Sequence, residues 1–164
     1  MIRRITPADC GAIAALEATL FATAFDQARL MALQTNPVFC GFVDLVPDQD
    51  QPQLTSADDL ASYLGGYLLA MMIDGEAEIL SIGVTPEWQS RGVGKQLLQH
   101  FFDHGVSRNM ARVLLEVAED NVPALGLYRD FGFVEFARRK GYYKQGNQKI
   151  DAIMMKWCRA EAFP

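Results

Sequence analysis

One stretch limits the possible folds more than any other: "ILSIGVTPEWQSRGVGKQLLQHFF", from Ile79 to Phe102. An apolar run ends at Val84, a loop with proline follows, and Gly92 and Gly94 then open an apolar stripe. Val93, Leu97, Leu98, Phe101 and Phe102 recur at helical spacing, which predicts a helix from Gly92 to about Ser107. The next apolar run, "RVLLEV", reads as a strand buried at most positions. Strand, glycine loop, amphipathic helix and strand make a unit whose helix must cover a sheet, so the chain is α/β.

The glycine loop invites an anion. A loop with little side-chain bulk leads into a helix N-terminus, where unpaired N–H groups and the helix dipole attract negative charge. Arg91 and Lys95 add positive charge. A nucleotide-hydrolysing P-loop is excluded, because Gln89 stands where its first glycine belongs and Gln96 where its magnesium-binding hydroxyl belongs. The dinucleotide fingerprint fails because Leu97 occupies its third glycine. A plain turn and a phosphate cradle both fit this stretch alone.

The rest of the chain supplies more strands and helices. Ile2 to Ile5 reads as a short strand. Thr6, Pro7 and Asp9 are an N-cap, a first-turn proline and a near-capping-box acid for a helix reaching about Thr19, with Ile13, Leu16 and Leu20 on one face. The same segment mimics a signal peptide, but Asp9 and Glu17 interrupt its apolar run. A second helix runs from Asp26 to about Gln34. "VFCGFVDLV", "YLGGYLLAMMI" and "AEILSIGV" are strands, the last two joined by a turn at Asp74-Gly75. Asn121 to Phe131 is a helix, and "FVEFARR" and "DAIMMKW" are the closing strands. The sum is a mixed central sheet with helices on both faces. The segment from Val46 to Asp59 reads as a loop, polar and punctuated by prolines.

Length and charge set outer limits. The 164 residues suit one domain, residues 1–164. A net charge of −5 argues against nucleic-acid binding driven by overall charge. Three widely spaced cysteines, Cys10, Cys40 and Cys158, form no metal pattern and are read as reduced thiols of a cytoplasmic protein. The longest apolar run is too short to span a bilayer. His100 and His104, four apart, lack an acid or cysteine to complete a metal set and are read as surface or rim.

The residues Gln89, Gly92 and Gly94, placed after an apolar strand, fill the Arg/Gln-x-x-Gly-x-Gly/Ala pattern of the GNAT superfamily of N-acetyltransferases. Downstream, "LLEVAEDNVPALGLYRDFGF" resembles the family's next strand and helix. "RRKGYYKQGNQKIDAIMM" resembles the closing hairpin of the members that modify protein N-termini, the bacterial ribosomal-protein-alanine acetyltransferases among them; Arg139, Tyr142, Tyr143, Asp151, Ala152 and Met154 sit on its pattern. Departures fall mainly on the acceptor side. "AFDQARL" lacks the Pro-Trp found before the second helix, the Val46 to Asp59 loop is longer, and "VAED" replaces the usual Val-Arg-x-Ser.

The resemblance implies a GNAT fold whose middle strands splay apart, and a cytoplasmic enzyme that uses acetyl-CoA without a metal. Ser90, Arg91, Gly92, Val93, Gly94 and Lys95 would hold the pyrophosphate of coenzyme A, with Asn121 also on the cofactor. Ile82, Gly83 and Val84 would present a strand edge to the pantetheine arm, a backbone N–H near Val84 polarising the thioester. Gly83 suits a close backbone approach by a ligand, or is an ordinary strand glycine. Glu116, the only charge in an apolar strand, is the implied base, acting directly or through water. Tyr128, two helical turns from Asn121, is the implied acid for the leaving thiolate. Tyr142 and Tyr143 would flank the acceptor; strand alternation lets only one face it.

The implied acceptor is a protein N-terminal α-amine, with the N-terminal alanine of a small-subunit ribosomal protein as one case. An α-amine is about 14% neutral at pH 7 against about 0.04% for a lysine, a difference of about 3.5 kcal/mol in deprotonation. A modest base then suffices. Alternatives are a small-molecule amine or a lysine as acceptor, or an acyl-CoA-binding module without catalysis. Glu116, Asn121 and Tyr128 together favour catalysis.

Overall fold

A computed structural model describes residues 1–46 and 63–160. The expected loop from Val46 to Asp59 therefore lies, past its first residue, outside the described residues. Seven strands join in one sheet: β1 (Ile2–Arg4), β2 (Phe39–Leu45), β3 (Leu64–Ile73), β4 (Glu76–Val84), β5 (Arg112–Ala118), β6 (Val134–Gln145) and β7 (Gln148–Cys158). Their order across the sheet is β1-β2-β3-β4-β5-β7-β6. Four helices are described: α1 (Cys10–Leu20), α2 (Gln27–Gln34), α3 (Val93–Val106) and α4 (Val122–Asp130).

Local chemistry explains most boundaries. Asp9 Oδ2 accepts from the backbone N–H of Thr6 at 2.6 Å and from its hydroxyl at 2.9 Å, closing the turn that leads into α1. That first turn, Pro7–Asp9, is a 3-10 turn rather than the start of one continuous α-helix. Asp26 caps α2 by accepting from Arg29 N at 2.7 Å. Asp74 and Gly75 both carry positive φ, 49° and 80°, as the tight β3–β4 hairpin requires. The closing strands run further than the sequence predicts. β6 and β7 extend to a turn at Gly146, because polar residues occupy a hairpin whose backbone groups pair regardless of side-chain polarity.

The parallel ladder of β4 on β5 runs from Glu76↔Arg112 to Ile79↔Leu115. Beyond Ile79, β4 continues through Ile82, Gly83 and Val84.

The chain divides into two compact units. The first comprises Met1–Ala70 and Ser81–His104, the second Met71–Leu80 and Gly105–Pro164. In the first, the stripe of α3 is buried as expected: Val93, Leu97, Leu98, Phe101 and Phe102 are all in the core, each contributing about 1.5–3 kcal/mol of transfer free energy. Gly66 of β3 lets this helix approach, since a Cβ there would sit 3.0 Å from Val93 and 3.1 Å from Leu97. In the second, Val113, Leu115 and Val117 of β5 are buried together with Ile153 and Met155 of β7. No helix among the described residues is long and apolar enough to cross a membrane.

Candidate active site

The first unit carries the glycine loop. Ser90 and Gly92 both adopt positive φ, 59° and 85°, and a Cβ at Gly92 would meet no atom within 4 Å. The first hydrogen bond of α3 runs from Gln96 N to Gly92 O at 2.9 Å. Val93, Gly94 and Lys95 therefore have no carbonyl partner within the helix for their N–H groups. The loop is exposed at Ser90, Arg91 and Gly92, and the Arg91 guanidinium lies 5.0 Å from the Trp88 ring centroid. Gln89, read from sequence only as a pattern position, has a job: its side-chain amide donates to Val84 O at 3.2 Å and ties the loop to the end of β4. Exposed N–H groups at a helix start, flanked by Arg91 and Lys95, suit a phosphate group.

Ile82 and Val84 are half-buried and Gly83 is buried. A Cβ on Gly83 would lie 2.4–2.5 Å from the Tyr67 ring and hydroxyl. The missing side chain thus makes room for Tyr67 of the same unit, which is a packing reason for the glycine. His100 and His104 sit edge-on to Phe42, with centroids 4.8 and 5.3 Å away, and His104 Nε2 lies 2.7 Å from Arg4 Nη2. Both imidazoles are half-buried neighbours of Phe42.

The second unit carries the acid and base candidates. Alternation along β5 turns Val113, Leu115 and Val117 to the core and leaves Glu116 on the other face, 25% exposed. Its Oε2 lies 3.2 Å from Arg139 Nε, and Tyr143 is an electrostatic neighbour of the same carboxylate. Arg139 was not a site candidate from sequence. It sits on β6, and its only sequence signal is its place three residues before the tyrosine pair. Tyr143 is pushed up to about 12 by burial first, then by Glu116 and Tyr142, with Arg139 opposing.

Tyr128 on α4 is buried, its ring 5.7 Å from Phe133. Burial, helped by the neighbouring Tyr143, pushes its hydroxyl well above the usual tyrosine value, so it holds its proton. Asn121 is the N-cap of α4; its Oδ1 accepts from Ala124 N at 3.2 Å.

The tyrosine pair departs from the alternation rule. Between Arg139↔Ala152 and Tyr143↔Ile150 the register slips, four steps on β6 against two on β7. Gly141, with φ of 59°, forms the irregularity, and its N–H donates to Asp151 Oδ1 at 2.8 Å. Tyr142 and Tyr143 therefore do not point to opposite faces. Their rings meet edge to face with centroids 5.1 Å apart, Tyr142 exposed and Tyr143 half-buried. A bulge re-aims side chains in this way.

Residues 15–133 match the pattern of the acetyltransferase (GNAT) family. The chain belongs to that family. It is an acetyl-CoA-dependent N-acetyltransferase. Among curated relatives, the ribosomal protein bS18-alanine N-acetyltransferase of Salmonella typhimurium is 34% identical over 63% of this chain and 67% of its own length. An N-alpha-acetyltransferase of Mycobacterium tuberculosis is 38% identical over 62% of this chain and 61% of its own. The crystal structure of a ribosomal-protein-alanine N-acetyltransferase from Escherichia coli superposes with a TM-score of 0.80 at 23% identity, covering 100% of this chain and 98% of that one. It confirms the expected GNAT fold.

Proposed function

We propose that this acetyltransferase, acting as one domain, transfers acetyl to the N-terminal α-amine of a protein, with an N-terminal alanine of a ribosomal protein as its first candidate. The observation that carries the reading is the Glu116 cluster beside the paired tyrosines. This reading gives the proton of the amine to the Glu116 carboxylate, which lies beside Arg139 and Tyr143. A single carboxylate suits an α-amine, which is already partly neutral, better than a lysine. The relatives named for N-terminal acetylation agree with this choice.

Under this reading Glu116 takes the amine proton, directly or through a water. Tyr128 faces the leaving sulfur. Passing a proton from an ordinary tyrosine to a thiolate is uphill by about 2 kcal/mol, and the burial of Tyr128 adds to that. Tyr128 therefore serves first as a hydrogen-bond donor to the developing thiolate, the proton moving late. Ser90 to Lys95 hold the pyrophosphate, Ile82 to Val84 carry the pantetheine arm, and the Asn121 amide reaches the cofactor through Nδ2, since Oδ1 caps the helix. Tyr142 and Tyr143 flank the first acceptor residue.

Mass spectrometry of matched peptides with free and blocked N-termini, each containing lysine, tests the reading. Acetylation of free N-termini alone is expected. Labelling confined to lysine would overturn it.

A further inference from the structure

The first unit buries a carboxylate that the reaction as described does not use. Glu17 lies on α1 and is 1% exposed. Its Oε1 accepts from the Tyr67 hydroxyl at 2.5 Å and from Ser81 Oγ at 2.5 Å. Its Oε2 accepts from the backbone N–H of Phe25 at 3.1 Å. Three donors from three places converge on this one carboxyl group.

Those three places are informative. Ser81 directly precedes Ile82, Gly83 and Val84 on β4. Tyr67 is the side chain for which Gly83 has no Cβ; a methyl there would lie 2.5 Å from its hydroxyl oxygen. Phe25 belongs to the short connection between α1 and α2, where this chain has "AFDQARL". The Phe25 ring is held too, with the Arg29 guanidinium 4.2 Å from its centroid. One buried side chain therefore bonds both the connection before α2 and the strand assigned to the thioester. A buried carboxylate is costly unless fully hydrogen-bonded, so a purely packing role would be served better by an apolar residue.

We propose that Glu17 is a positioning residue for the acceptor. It sets the Phe21–Asp26 connection at a fixed distance from Ile82–Val84, and so determines how a peptide N-terminus meets the thioester. The inference rests on the acetyl-transfer reading above. Glu17→Gln keeps the shape but offers only one acceptor oxygen to the hydroxyls and the Phe25 N–H, and sets an amide donor against one of them. Tyr67→Phe and Ser81→Ala each remove one donor and leave the Phe25 bond in place.

The test measures peptide KM and kcat, acetyl-CoA affinity by calorimetry, and hydrogen exchange at the Phe25 amide. For E17Q we expect faster Phe25 exchange and a rise of about tenfold in peptide KM, the size expected from losing one hydrogen bond. Acetyl-CoA affinity and kcat should stay close to wild type. Y67F and S81A should show the same KM-selective direction with smaller size, and they carry the test if E17Q does not fold. Wild-type exchange and KM in E17Q, or a fall in acetyl-CoA affinity that tracks KM, would overturn the proposal. Wild-type protein that acetylates no free N-terminus would instead sink the function reading, a result visible before any variant is compared.

Discussion

Gly83 shows how differently a residue reads alone and in place. In the sequence it suits a backbone approached by a ligand. In the fold, the volume its side chain would fill belongs to Tyr67. Gly83→Ala should lower stability by about 1–3 kcal/mol, the usual cost of overpacking, and a denaturant titration measures it. An unchanged midpoint would mean Tyr67 moves aside without loss. Glu17 is the converse case. It follows Ile13 by four positions, on the face the helix buries, so a charge at a core position was there to be noticed. Its three partners come from distant parts of the chain, and only folding identifies them. For Tyr128, Tyr128→Phe keeps the buried ring and removes the hydroxyl. Turnover should fall far more than acetyl-CoA affinity, as single-turnover kinetics and calorimetry would show. Equal loss in both would make Tyr128 a packing or binding residue.

At the scale of elements, helices are the most legible features. Asp26 and Asn121, read from sequence as the first residues of their helices, are their N-caps in the fold, each accepting from a backbone N–H three residues on. Asn121→Ala should cost about 1 kcal/mol through the lost cap. Asn121→Asp keeps an acceptor for Ala124 N but has no amide to give. It should preserve the melting temperature and weaken acetyl-CoA binding; unchanged affinity would remove Asn121 from the cofactor site. The bulge in β6 was not legible, since a register slip depends on the partner strand. Asp151 holds it through Gly141 N, and Glu119 Oε1 in turn accepts from Asp151 N at 3.1 Å. Asp151→Ala should release the bulge, separate the two tyrosine rings and raise peptide KM. Kinetics with acetyl-CoA and peptide varied separately would check that.

For the molecule as a whole, titrating groups set the pH limits of stability. Tyr143 is raised to about 12 in the fold, so its contribution is complete below about pH 10 and is lost as pH climbs toward 12. Tyr128 shifts in the same direction. On the acid side, burial alone would raise Asp9. The Arg3 guanidinium and two Thr6 donors outweigh it and hold the carboxyl below its ordinary value. Its contribution is therefore present above about pH 4 and is lost as pH falls further. Unfolding midpoints recorded across pH should decline at both ends, and Tyr143→Phe should soften the alkaline decline. An alkaline limb identical in that variant would show that Tyr143 does not set it.

The α/β class, nearly every element, the glycine loop with its helix, and the family are legible before any fold is known. These rest on periodicity, caps and contiguous motifs, which are local. Only in the folded chain does Glu116 meet Arg139 and Tyr143, do the paired tyrosines meet edge to face after the bulge at Gly141, and does Gly83 make room for Tyr67. Only there, too, does Glu17 gather Tyr67, Ser81 and Phe25. Each of those facts joins residues far apart in the chain. Their positions follow from strand register and close packing, which no local pattern encodes.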